Sequence, residues 1–82
     1  MDMLNKVNLY SLGIIVNSED LKNGSYGIVI EDFYPDYYII ENWTFEEGNE
    51  GGMTSLPAIC LRPATDKEQE EFQKKWKKYI EK

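Results

Sequence analysis

Two short runs, Gly27-Ile28-Val29-Ile30 and Tyr37-Tyr38-Ile39-Ile40, place apolar side chains at successive positions. Neighbouring residues of a strand point to opposite faces, so a sheet built from these runs needs cover on both sides. A chain of 82 residues makes one small domain with a modest core. It lacks the material to sandwich a flat sheet between two helical layers. The economical solution is a strongly bent antiparallel sheet of four or five strands, curled toward a barrel and flanked by one helix. The expected class is therefore mainly β (α+β).

The rest of the chain fits this plan. Strand-like runs occupy residues 7–16, 25–33, 37–45 and 54–62, all rich in branched and aromatic residues. Asn23-Gly24 favours a tight hairpin because both residue types tolerate positive φ. In Tyr34-Pro35-Asp36-Tyr37, proline is expected to open a type I turn. Pro57 inside the last run argues for an edge position or a bulge. Gly13 and Gly27 mark places where a small sheet bends. Residues 46–52, Glu-Glu-Gly-Asn-Glu-Gly-Gly, read as an exposed loop.

The tail changes period. Thr65, with Glu68 three residues on, is a capping-box signature for a helix over 66–81. Acids lead (Asp66, Glu68, Glu70, Glu71) and lysines follow, as the helix dipole favours. Phe72, Trp76, Tyr79 and Ile80 recur at i, i+4, i+7 and i+8 and form one apolar stripe. By the helical period, Lys74, Lys75, Lys77 and Lys78 lie away from it. The single domain thus divides into a β body, 7–62, and a C-terminal helix, 66–81.

The succession LGIIV, NGSYGIVIED, YYIIE and LPAICLRPAT resembles a small SH3-like barrel over about residues 7–65. Such barrels pair a first strand with a turn and a second strand, and end in a strand just before a helix. The acid-rich loop at 46–52 departs from that pattern. The resemblance implies a protein-binding fold, and fold alone does not settle function.

Charge and composition exclude more than they specify. Residues 1–65 carry a net −7 and residues 66–82 a net +1, which together make the −6 of the chain. An acidic body repels phosphate backbones and attracts basic proteins. With no histidine, the usual neutral-pH base and the commonest metal ligand are missing. No Lys-Ser/Thr follows the glycines at 48, 51 and 52, so they form no phosphate loop. The acids of Glu46-Glu47-Gly48-Asn49-Glu50 match no calcium-loop spacing and read as a solvated loop. We expect no enzyme, no cofactor, no metal and no small-molecule substrate. Cys60, between Ile59 and Leu61, is expected to be a buried, inert thiol of a reducing compartment. No basic, cleavable leader opens the sequence, and no apolar run nears the roughly 20 residues that span a bilayer. A cytoplasmic protein without membrane contact is the expectation.

Residues 31–52 concentrate what remains: seven carboxylates, six aromatics and no lysine or arginine. Exposed tyrosine and tryptophan beside acids have the composition of an interface rim and its anchors. The candidate partner-binding residues are Glu31, Asp32, Tyr34, Asp36, Tyr38, Glu41, Trp43, Glu46, Glu47 and Glu50. The alternative for the same stretch is a hairpin with a polar exterior. The leading expectation is a non-catalytic acidic module that engages a basic protein. In its sharper form, the carboxylates imitate DNA phosphates and inhibit a nucleic-acid-handling protein. Small size and high Lys, Asn, Ile, Tyr and Glu content suit an accessory protein of a phage or mobile element. A nucleic-acid-binding barrel using aromatic stacking and the lysine helix, and a subunit of a homo-oligomer, are the competing expectations.

Overall fold

The computed structural model describes residues 6–45 and 51–81. Five strands and one helix follow in order: β1 (Leu12–Ile15), β2 (Tyr26–Phe33), β3 (Tyr37–Trp43), β4 (Gly52–Pro57), a 3-10 turn (Ala58–Cys60), β5 (Leu61–Pro63) and α1 (Asp66–Ile80). The sheet is antiparallel throughout, ordered β4-β3-β2-β1-β5. It is not closed. Among the described residues no helix is long and apolar enough to cross a membrane.

Although open, the sheet has to curl. β4 and β5 are its opposite edges, yet only Ala58–Cys60 separate them in sequence. Five strands laid flat would set the edges about 19 Å apart. A 3-10 turn advances about 2 Å per residue and reaches less than half of that. Pro57 is the breaking point. It ends β4, and the turn behind it is tied at both ends. Ala58 N–H donates to the Asp36 carbonyl at 3.1 Å, and Val16 N–H donates to the Cys60 carbonyl at 2.8 Å. The expected last strand, 54–62, is thus two strands joined by one helical turn.

The concave face holds the main core: Val7, Ile15, Val29, Tyr38, Ile40, Leu56, Ala58, Cys60 and Leu61. Gly13 and Gly27 face each other across β1 and β2. A Cβ on Gly13 would lie 2.7 Å from Leu61 Cγ, and one on Gly27 would lie 2.9 Å from Ile40 Cδ1. The absence of side chains at this pair lets Leu61 and Ile40 settle onto the backbone. Cys60 is a buried free thiol whose Sγ lies 3.6 Å from the Asn17 carbonyl.

The convex face carries a second cluster, Ile14, Tyr26 and Trp43, against which Leu12, Val16, Ile28, Phe45, Ala64 and Phe72 pack. Helix α1 covers this end of the face. Its capping box forms as expected, with Thr65 Oγ1 accepting from Glu68 N–H at 3.2 Å and Glu68 Oε1 accepting from Thr65 N–H at 2.9 Å. Arg62 clamps the same glutamate with two bonds of 2.8 and 2.7 Å. Phe72, Trp76 and Tyr79 meet Trp43 edge-on at centroid distances of 6.4, 4.8 and 5.7 Å.

Two turn expectations are revised. The β2–β3 turn closes with Asp36 N–H on the Phe33 carbonyl at 2.9 Å, and its Tyr34–Pro35 peptide is cis. Proline therefore occupies the third turn position rather than the second. Lys22–Ser25 is a single turn within a longer β1–β2 connection, not a two-residue hairpin. Gly24 takes φ +88° as its third residue, the conformation a type II turn demands.

Candidate partner-binding surface

The helix packs on the Tyr26–Trp43 end of the convex face, and among the described residues nothing packs over the other part. That open part is defined by register. Across β2 and β3, Ile28 pairs with Glu41, Glu31 with Ile39, and Phe33 with Tyr37. Across β3 and β4, Glu41 pairs with Met53, Ile39 with Ser55, and Tyr37 with Pro57. Directly paired residues share a face, so these rows form one surface. It is apolar and acidic together: Phe33 is 45% exposed, Tyr37 38% and Met53 73%, with Glu31 exposed and Glu41 half-buried. The Phe33 and Tyr37 rings stack at 4.8 Å with 18° between their planes.

A bulge decides which β2 side chains reach this surface. The register shifts between Val29 and Glu31, so one extra residue, Ile30, enters β2. Val29 is buried in the concave core while Glu31, two positions on, faces out. In a regular strand Asp32 and Tyr34 would follow Ile28 onto the convex face. The bulge exchanges them for Glu31 and Phe33.

The sequence candidates therefore separate. Glu31 and Glu41 lie on the exposed convex rows, and Asp36 sits exposed in the adjoining turn. Asp32 and Tyr34 turn to the concave side. There Asp32 pairs with Lys6 at 3.0 Å and accepts from Tyr34 N–H at 2.9 Å. That backbone bond, with Lys6 second, holds its carboxyl below the usual range. Tyr34 packs on the concave core, with Lys6 Nζ 5.7 Å from its ring centroid. Tyr38 has no exposed surface. Its hydroxyl accepts from Val7 N–H at 3.0 Å, and burial pushes its pKa up. Trp43 is 7% exposed beneath the helix. Its indole N–H donates to Glu41 Oε1 at 2.7 Å. As placed, Tyr38 and Trp43 offer a partner almost no surface. Glu46, Glu47 and Glu50 lie outside the described residues.

Phe33, Tyr37, Ile39 and Met53 are surface members that the sequence reading left out. Tyr37 and Ile39 share a strand parity that was available in the sequence, but nothing there announced the bulge that exposes Phe33.

A second feature lies between α1 and the β1 side of the sheet. This open groove is lined by Lys6, Tyr10, Leu12, Ile28, Phe72, Lys74, Trp76, Lys77 and Ile80, among others. Lys74 and Lys77 thus border apolar residues rather than standing on an opposite face. Lys75 lies over Tyr26 at 5.5 Å from its centroid. Among the described residues no three cysteines or carboxylates gather as a metal-binding group. The chain matches no protein-family model, no curated protein and no solved structure.

Proposed function

We propose that this protein is a non-catalytic binding module that engages a basic protein partner in the cytoplasm through the open part of its convex face. The observation that carries this reading is the exposed Phe33–Tyr37 stack beside Glu31 and Asp36. Carboxylates accelerate encounter with a positive surface, and desolvated aromatics supply most of the contact energy. A guanidinium or ammonium laid on the stack would gain a cation–π contact as well as a carboxylate neighbour. The curled sheet and the 3-10 turn before β5 support the small-barrel likeness as part of the same reading. In its finer form, the partner handles nucleic acid and the carboxylates compete with phosphate.

Affinity capture from a nuclease-treated host lysate across a salt series tests the proposal. The expected result is one basic protein, recovered at low salt and lost from the Glu31→Lys/Asp36→Lys variant. For the finer form, added duplex DNA should displace the captured protein. Retention of a labelled oligonucleotide by the pure protein would replace this reading with direct nucleic-acid binding. A stable multimer in light scattering, with nothing captured, would favour a structural subunit.

A further inference from the structure

The convex surface ends at a sheet edge that no other strand covers among the described residues. β4 is the outermost strand on that side. The outward direction of its amides follows from one bond. Ala58 N–H donates to Asp36 O at 3.1 Å, in the register that continues through Leu56–Tyr38 and Thr54–Ile40. Bonded and non-bonded pairs alternate in an antiparallel ladder, so Leu56 and Thr54 turn their amides toward β3. Ser55 and Met53 turn theirs away, and among the described residues neither amide has a partner. Pro57, next in the outward series, has no N–H and closes the row.

The two edges are guarded differently. β5 is three residues long and ends in Pro63, which blunts it. β4 has six residues, Gly-Met-Thr-Ser-Leu-Pro, with no charge, no bulge and proline only at its end. Protection by inward charges, by lysine or by distortion is missing there.

We propose that β4 is a docking edge and that its occupant is an extended, lysine- or arginine-bearing segment of the partner, added antiparallel as a sixth strand. This rests on the basic-partner reading above. Charge selects the occupant. A second copy would bring its own −6 against this face, whereas a basic segment meets opposite charge. The strand spacing places an added strand about 10 Å from the row of Glu41 and Ile39. A lysine or arginine stem can bridge much of that by lying along Met53, its head directed toward Glu41.

The test uses the full chain and two blocked synthetic peptides, acetyl-(Val-Lys)4-amide and the same sequence N-methylated at every residue. The expected result is that the first peptide slows hydrogen exchange at the Met53 and Ser55 amides at least tenfold. N-methylation should weaken binding at least tenfold. Ser55→Pro, which removes an amide that β3 does not use, should weaken the first peptide equally while keeping the near-UV circular dichroism of the parent. Equal binding of the two peptides overturns edge addition, even if Ser55→Pro fails to fold. If that equal binding disappears in Glu31→Lys/Asp36→Lys, the acidic-surface reading stands without the edge. Protection confined to residues away from β4, or no binding of either peptide, likewise overturns edge addition, and the lysate capture then decides the basic-partner reading separately.

Discussion

At the residue scale, missing or buried side chains set the geometry. Gly13 and Gly27 lie opposite each other beneath Leu61 and Ile40. The sequence marked both as bends. What it left open was the reason, a close approach of two core side chains to bare backbone. Gly13→Ala places a methyl 2.7 Å from Leu61 Cγ and 3.0 Å from the Arg62 carbonyl oxygen, so the β1–β5 contact has to yield. We expect a loss of about 1–3 kcal/mol, read as a lower urea midpoint with an unchanged slope; an unchanged midpoint would contradict the packing described. Tyr38 and Trp43 teach the reverse lesson. Tyrosine and tryptophan in an acidic stretch suggested surface anchors, but each has its polar atom paired within the fold, Tyr38 by the distant Val7 N–H and Trp43 by Glu41 two residues away. Once that polar atom is paired, the ring is free to serve as core.

At the element scale, the helix was the most legible part because its signals are local. Thr65, Glu68 and the graded charge all sit within one segment, and the capping box forms as read. Arg62 was not foreseeable as the third member, since its place depends on where β5 ends. The Arg62 fork and the Thr65 amide draw the Glu68 pKa down from its ordinary 4.5 to about 2. A depressed carboxyl pKa contributes stability above the unfolded value and loses it as pH falls from about 4.5 through 2. Because the Arg62 side chain is 41% exposed, solvent screening limits the contribution to about 1 kcal/mol. Urea midpoints measured at about pH 5 and pH 2 should therefore fall less in Glu68→Gln than in the parent; parallel falls would contradict the clamp. The helix has no buried residue of its own and is attached through half-buried Phe72 and the rings around Trp43. Phe72→Ala should cost about 2 kcal/mol and shift Trp43 emission to the red. Retained stability and emission would show that the helix docks by other contacts. The β2 bulge was the least legible element. It depends on pairing with β3, and a single residue there exchanged Asp32 and Tyr34 for Glu31 and Phe33 on the outer face.

At the scale of the whole molecule, the two apolar strand runs share one concave core through Val29, Tyr38 and Ile40, but their other faces part: Ile28 packs on the cluster beneath the helix, whereas Tyr37 and Ile39 lie on the open convex rows. The small helix cannot cover the entire convex face. Among the described residues, the open part joins Glu31, Glu41 and the adjoining Asp36 to an aromatic stack and an unpaired edge. Charge distribution was readable in the sequence, but which acids gather on one surface was not, because strand parity and the bulge assign them. Glu41 is a poor site for testing this surface, since changing it also removes the acceptor of the Trp43 indole. Glu31 and Asp36 carry no such structural role among the described residues.

The most direct measurement is the dissociation constant of the captured basic partner for the parent and for Glu31→Lys/Asp36→Lys, titrated from about 50 to 500 mM salt. The proposed surface predicts at least a tenfold weaker variant at low salt, with the two curves converging as salt rises. Equal constants and equal salt slopes for the two proteins would contradict it.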